Sequence, residues 1–133
     1  TDIVLVHDGV RPFITVEMIE ATVTAAVEYG AAITAIPVSD TIKQVDGEGF
    51  VARTLDREKL RRVQTPQAFR YSLLARAFAK AADDSYYGTD EGSLIEYINE
   101  PVKIIAGSEL NIKITRPEDL ILAEKIATHL KAQ

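Results

Sequence analysis

The stretch His7-Asp8-Gly9-Val10-Arg11-Pro12 sets a carboxylate and a guanidinium three positions apart, directly after the apolar run Ile3-Val4-Leu5-Val6. An aspartate there can bind Mg2+ or a sugar hydroxyl, and an arginine can hold a phosphate through two parallel N–H bonds. Open α/β sheets bind ligands outside the carboxyl ends of their strands, which is where this stretch falls if the apolar run is a strand. The competing reading is a turn closed by a local Asp8–Arg11 ion pair. His7 reads as a structural histidine. After a second apolar run, Ala31 to Pro37, comes Asp40-Thr41-Ile42-Lys43. There Thr41 either offers a hydroxyl at the same sheet edge or belongs to an Asx-type turn that starts a hairpin. Arg53, Arg57, Lys59, Arg61 and Arg62 then face Asp56 and Glu58 in a short span. This is either a solvated surface or the source of one long cation that reaches an anion, held by a neighbouring subunit if the hairpin exchanges. Thr89-Asp90-Glu91 suits a helix start, with Thr89 as N-cap and two acids on the positive dipole end, or a hydroxyl and free N–H groups turned toward a phosphate. Lys113 lies between Ile112 and Ile114 and therefore projects to the face opposite theirs, ordinarily a solvent face.

Other chemistries are excluded by what is missing. The sequence has no cysteine and only two histidines, far apart, which removes disulfides, thiolate zinc sites and cysteine nucleophiles and disfavours a histidine-built metal site. It has no G-x-S-x-G elbow, no G-x-G-x-x-G and no Walker A sequence. Fifteen basic against twenty acidic residues give a net charge of -5, which argues against a general nucleic-acid binder. No apolar run approaches the ~20 residues of a membrane helix, and there is no signal-like amino terminus, so the expectation is a cytoplasmic protein without membrane association.

The elements that must position these residues follow an α/β pattern. At 133 residues the chain is one domain at most. Ile3 to Val6 has the continuous apolar character of a parallel strand buried on both faces, and such strands rarely begin a fold, so an earlier segment is expected to supply a neighbour. Thr15 is placed to cap a helix with Ile19, Val23, Ala26 and Val27 as its stripe, ended by Gly30, and Ala31 to Pro37 completes a βαβ unit. Ile42, Val45, Val51 and Leu55 flank Asp46-Gly47-Glu48-Gly49, a hairpin with a glycine-containing loop and few apolar residues, expected to project as a dimer arm. Pro66 limits strand or helix in Val63 to Gln67. Helices are expected over Tyr71 to Ala82 and from Thr89 to Pro101. Strands are expected at Val102 to Ala106 and Asn111 to Ile114. A last helix starts from a Thr115/Glu118 capping box, with Leu120, Ala123, Ile126, Ala127 and Leu130 inward.

Five stretches in order are Val4-Leu5-Val6-His7-Asp8-Gly9-Val10-Arg11-Pro12-Phe13, Pro37 to Lys43, Gln64 to Phe69, Thr89 to Leu94, and Asn111 to Leu120. Together they resemble the 2-C-methyl-D-erythritol 4-phosphate cytidylyltransferases of non-mevalonate isoprenoid synthesis. The resemblance implies a Rossmann-like nucleotidyltransferase sheet with helices on both faces and a protruding β-arm at about residues 39–62. Residues 1–133 would then form the carboxy-terminal part of a single domain. It implies transfer of CMP from CTP to methylerythritol phosphate with loss of pyrophosphate, in a Mg2+-dependent homodimer. Position by position, Asp8, Arg11 and Lys113 match catalytic residues, with Asp8 near the metal. Thr41, Thr65 and Thr89 match residues lining the acceptor site, Arg57 matches an arginine that enters the partner's site, and Gly9 matches a small residue beside the cytidine ribose. Gly92 stands where alanine is more usual. The family's glycine-rich loop, which grips the triphosphate, has no counterpart here, so the chain is expected to hold the acceptor half and the arm and to be inactive alone. A ribitol 5-phosphate cytidylyltransferase and a non-catalytic sugar-phosphate-binding or dimerisation domain are the alternatives.

Overall fold

In the computed structural model, which describes residues 2–133, the elements in chain order are β1 (Ile3–Val6), α1 (Val16–Tyr29), β2 (Ala31–Pro37), β3 (Lys43–Val45) and β4 (Val51–Thr54). A 3-10 turn (Arg57–Lys59) leads into β5 (Arg61–Arg70), followed by α2 (Tyr71–Asp83), α3 (Glu91–Tyr97), β6 (Lys103–Ala106) and α4 (Pro117–Lys131).

Alternation along β2 and β5 sets the layers, because successive strand residues point to opposite faces. Ala31, Ile33 and Phe69 pack with Leu74, Ala77, Ala81, Leu94 and Ile95 of α2 and α3. Ala32 and Ala68 turn the other way, onto Ala25 and Ala26 of α1. That second interface is made of alanines, so α1 lies close against the sheet. Helices therefore cover both faces, as expected.

The sheet order is β1-β5-β2-β6, with β2 and β6 parallel and β5 antiparallel to both β1 and β2. β1 and β2 share one direction, as a βαβ unit requires, but β5 is inserted between them. Ile3–Val6 is therefore paired antiparallel, and on its other edge it has no strand partner among the described residues, with Leu5 exposed. The antiparallel pairing with β5 departs from the parallel pairing expected, and the neighbour expected from an earlier segment would fall on the open edge. β5 itself is the larger correction, since Pro66, expected to limit a strand, sits within the longest one. The ladder accommodates it by a jog: Ile33 pairs with Gln67 and Ala35 with Val63, so Thr34 faces three residues, Gln64, Thr65 and Pro66. Pro66 thus has no ladder bond to donate, and its carbonyl accepts from the Thr34 hydroxyl at 3.0 Å.

Helix starts are read correctly in kind and shifted in place. Thr15 caps α1, accepting from the Met18 N–H at 3.1 Å, and Gly30 ends it at φ 95°. The buried stripe of α1 is Met18, Thr22, Ala25 and Ala26, with Val27 exposed, a rotation from the one expected. α3 is capped by Asp90 and not by Thr89. At α4 the carboxylate that turns back is Asp119, one residue beyond Glu118. It accepts from the N–H groups of Arg116 at 2.9 Å and Thr115 at 3.0 Å, holding its carboxyl below the usual carboxylate range. Ala123 and Ile126 of α4 are buried, whereas Leu120 is exposed. Asn111 to Ile114 is an extended loop and not a strand, held to the β1–α1 loop by Ile114 N–H on the Val10 carbonyl at 2.9 Å. The β3–β4 hairpin stands off as a separate two-stranded ribbon with every strand residue exposed. Among the described residues no helix is long and apolar enough to cross a membrane.

Candidate active site

An open cleft of about 920 Å³ lies where β1 ends against the irregular stretch Val63 to Gln67 of β5, beside α3, and Asp8, Arg11, Thr65, Thr89 and Lys113 all line it. These five come from four separate stretches of the sequence. Each is placed by identifiable bonds.

The floor is the jog in β5. Gln64 and Thr65, freed from regular pairing, extend side chains to neighbouring loops. The Gln64 amide donates to the Ser108 carbonyl at 2.9 Å, and its Oε1 accepts from the Ser108 N–H at 3.3 Å and from Asn111 Nδ2 at 3.2 Å. Gly107 permits this approach, because a Cβ there would stand 2.4 Å from Gln64 Oε1. Asn111 also donates to the Thr65 carbonyl at 2.8 Å, so the loop that carries Lys113 is fastened to β5 two residues before the lysine. Asn111 Oδ1 is buried with no partner among the described residues.

Arg11 and Asp8 form the ion pair, Nε to Oδ2 at 3.0 Å, with the arginine side chain 11% exposed and the aspartate 33%. Arg11 Nη1 donates to the Asn111 carbonyl at 2.7 Å. Two of the five guanidinium N–H groups are therefore taken by the protein, and the charge is already balanced locally. The pair is the local ion pair of one sequence reading, and it lines the cleft in which the other reading would place it. Asp8 keeps Oδ1 without a protein partner among the described residues. Lys113 is exposed and has no salt-bridge partner among them, which makes it the cleft's uncompensated cation.

On the opposite side Gln67, 1% exposed, holds the start of α3. Its amide donates to Asp90 Oδ2 at 2.9 Å and its Oε1 accepts from the Gly92 N–H at 3.3 Å, while Asp90 Oδ1 accepts from the Ser93 N–H at 2.9 Å. The Gly92 and Ser93 N–H groups are thus consumed internally, which counts against backbone phosphate binding there. Thr89, immediately before the cap, stays exposed on the cleft wall. Phe78 is half exposed and forms part of the rim with Tyr86 and Tyr87. Tyr86 stacks on Tyr97 with ring centroids 4.0 Å apart, and the Tyr97 hydroxyl donates to Asp84 at 2.5 Å. That bond, together with Lys80, lowers the Asp84 carboxyl, and the same bond raises the Tyr97 phenol.

Thr41 and Arg57 lie outside the cleft. Thr41 is exposed, and Arg57 borders a smaller recess with Ser39 and Arg61, donating to the Ser39 carbonyl at 2.7 Å. Gly9 is exposed, and a Cβ on it would meet nothing within 4 Å. Sequence reasoning missed Gln64, Gln67 and Asn111. Two glutamines three apart, flanking Thr65-Pro66 in a stretch bounded by Val63 and Ala68-Phe69, were the available signal.

Among the described residues no three His, Cys, Asp or Glu side chains converge as a metal site. Mg2+ commonly takes only one or two carboxylates, completing its shell with phosphate and water, and Asp8 Oδ1 fits that limited role.

A family model described as 2-C-methyl-D-erythritol 4-phosphate cytidylyltransferase matches residues 1–129. The chain is 53% identical over 132 residues to the protein of that name from Geobacillus kaustophilus (strain HTA426), covering 99% of this chain and 58% of that one. It is 50% identical over 123 residues to the one from Syntrophus aciditrophicus, covering 92% and 53%. Among solved structures, it is similar to the 4-diphosphocytidyl-2C-methyl-D-erythritol synthase of Anaerococcus prevotii (TM-score 0.89, 37% identity, 96% of this chain and 57% of that one). The Thermus thermophilus methylerythritol phosphate cytidylyltransferase superposes at a TM-score of 0.85 with 39% identity, over 95% of this chain and 62% of that one. The chain thus spans a little over half the length of these relatives, and its sheet and helices are those of a nucleotidyltransferase fold.

Proposed function

The chain belongs to the 2-C-methyl-D-erythritol 4-phosphate cytidylyltransferase family, and from that premise we propose that the protein transfers CMP from CTP to methylerythritol phosphate in the cytoplasm, where CTP is made. The observation that carries this reading is the gathering of Asp8, Arg11, Thr65, Thr89 and Lys113 in one cleft. A phosphate oxygen of the acceptor attacks the α-phosphorus of CTP, the bond to the bridging oxygen breaks, and pyrophosphate leaves with that electron pair. A phosphate monoester is largely dianionic at neutral pH, so the nucleophile needs no general base. Positioning and charge compensation do the work instead. Lys113 suits the acceptor phosphate, as the cleft's one cation without a protein counter-charge among the described residues. Asp8, with Oδ1 open, suits the acceptor's hydroxyls and a Mg2+ ion, and the metal when bound neutralises phosphate charge. Thr65 and Thr89 complete the acceptor side, and Gly9 leaves room beside it for a nucleotide.

The same reading makes the protein a homodimer. The hairpin exposes Val45, Phe50 and Val51, an apolar set suited to a second copy. Arg57 and Thr41 at its foot, both outside this chain's own cleft, then serve the partner's acceptor. The names of the relatives favour methylerythritol phosphate over ribitol 5-phosphate. The test is pyrophosphate release by the whole protein with CTP, Mg2+ and each acceptor in turn. Release with methylerythritol 4-phosphate supports the proposal. Faster release with ribitol 5-phosphate, or none with either, overturns it in favour of the second enzyme or of a binding domain.

A further inference from the structure

We propose that His7 is a positioning residue for the cleft, held in one tautomer by bonds at both ring nitrogens, and that it spends the Thr65 hydroxyl's only proton. His7 Nε2 is 2.9 Å from the Arg11 carbonyl, and His7 Nδ1 is 2.9 Å from Thr65 Oγ1. A carbonyl only accepts, so Nε2 carries the hydrogen. Nδ1 of the neutral ring must then accept, and the Thr65 hydroxyl donates to it. The same hydroxyl oxygen accepts the Asp8 N–H at 3.0 Å.

Two consequences follow. His7 closes the Asp8-to-Arg11 turn from both ends, fixing the Arg11 carbonyl directly and the Asp8 N–H through Thr65. The ion pair, whose Arg11 Nη1 also bonds the Asn111 carbonyl, is thereby set at one height above the cleft floor. Thr65 meanwhile has no proton left for a ligand, so toward an acceptor sugar it acts only as a hydrogen-bond acceptor and selects a hydroxyl donor. His7 is not a base in this arrangement, since both its nitrogens are occupied.

The proposal deepens the transferase reading, and its test separates the two. The measurements use the whole protein with His7→Ala, His7→Gln, which can still donate to the Arg11 carbonyl, and His7→Asn, which can still accept from Thr65. The first readout is spectroscopic and independent of activity. The wild type is expected to show a slowly exchanging Thr65 hydroxyl proton coupled to His7 Nδ1, and a protected Asp8 amide whose exchange rises at least about tenfold in His7→Ala. The second is kinetic: His7→Ala is expected to raise the acceptor KM about tenfold and change kcat by less than about threefold, with His7→Gln and His7→Asn each recovering part of the loss. A proton on Nδ1 in the neutral ring, or unchanged Asp8 exchange in all three variants, overturns the proposal. A fall in kcat of a thousandfold at constant KM also overturns it, by making His7 a reacting group. Should neither acceptor be turned over, the transferase reading fails, while the spectroscopic readout still decides the role of His7.

Discussion

Replacing Gln67 tests whether one buried amide holds the α3 wall of the cleft in place. Gln67→Leu nearly preserves volume and removes the amide. It strips one charge-assisted bond from Asp90 Oδ2, and it leaves the buried Gly92 N–H without its acceptor. A hydrogen bond to a charged group contributes about 1.5–3 kcal/mol, and an unsatisfied buried donor costs about 1–3 kcal/mol. Asp90 keeps its bond to Ser93, and the leucine gains some apolar burial, so the expected net loss is about 3 kcal/mol. Gln67→Glu is the sharper variant, because at neutral pH it sets a second carboxylate against Asp90. In that variant the glutamate carboxyl is raised in the folded state by its neighbour and by burial. The stability tied to its protonation is therefore present at low pH and lost as pH rises through the raised value. Urea unfolding from pH 7 down to pH 5 is expected to show the Gln67→Glu penalty shrinking relative to wild type while the Gln67→Leu penalty stays level. Amide exchange should speed up at Gly92 and Ser93 in both variants. Equal, pH-independent penalties for the two variants, or α3 amides as protected as in wild type, would refute the reasoning.

Lys113→Met is expected to leave stability within about 0.5 kcal/mol, as for an exposed side chain without a partner, and to raise the acceptor KM or abolish turnover; loss of stability without loss of turnover would count against Lys113. Mixing Arg57→Ala with Lys113→Met protein is expected to restore up to about a quarter of wild-type activity if Arg57 acts across a two-fold dimer, checked by pyrophosphate release after subunit exchange. Gly107→Ala should displace the Gln64 amide from Ser108 and Asn111 and cost about 1–3 kcal/mol, read as a lowered urea midpoint. Asp119 is held below the ordinary carboxylate value by the Thr115 and Arg116 N–H groups, so its contribution is present above that value and lost as pH falls through the depressed one. Amide exchange at the start of α4 should accordingly rise below about pH 4, and Asp119→Asn should flatten that response.

Local signals carried most of the elements. Thr15 and Gly30 bracket α1 because a cap hydroxyl and a residue at positive φ answer to backbone geometry within one turn. The cap of α3 at Asp90 and the carboxylate that turns back at the start of α4, Asp119, each lie one residue beyond the position expected, for the same local reason: in a run such as Thr89-Asp90 or Glu118-Asp119, several side chains can reach the free N–H groups, and tertiary packing chooses. The buried side of α1 was harder to read. Its contact surface is the alanine face of β2 and β5, and small residues on both sides let the helix turn toward Met18 and Thr22 without leaving a gap. Asn111 to Ile114 has strand-like alternation, but its main-chain N–H groups donate to the loop carbonyls of Ser108 and Val10, and no strand lies alongside among the described residues.

β5 shows why the cleft could be anticipated only in part. A proline in an apolar run removes a ladder donor, and read locally it argues against a central strand. The strand persists because the loss falls at the jog, where three residues stand against Thr34 and the Pro66 carbonyl finds the Thr34 hydroxyl. That irregularity is also what turns Gln64 and Thr65 out of regular pairing, toward Asn111 and His7. A strand with unbroken pairing would alternate these side chains into the two helix layers, leaving the Lys113 loop and the Asp8–Arg11 turn without their anchors. The local cue that argued against a strand therefore marks the point where the sheet stops being regular and the site begins. Sequence alone could identify Thr65 by resemblance, yet not through its partners, because those lie 58 residues before it at His7 and 46 after it at Asn111.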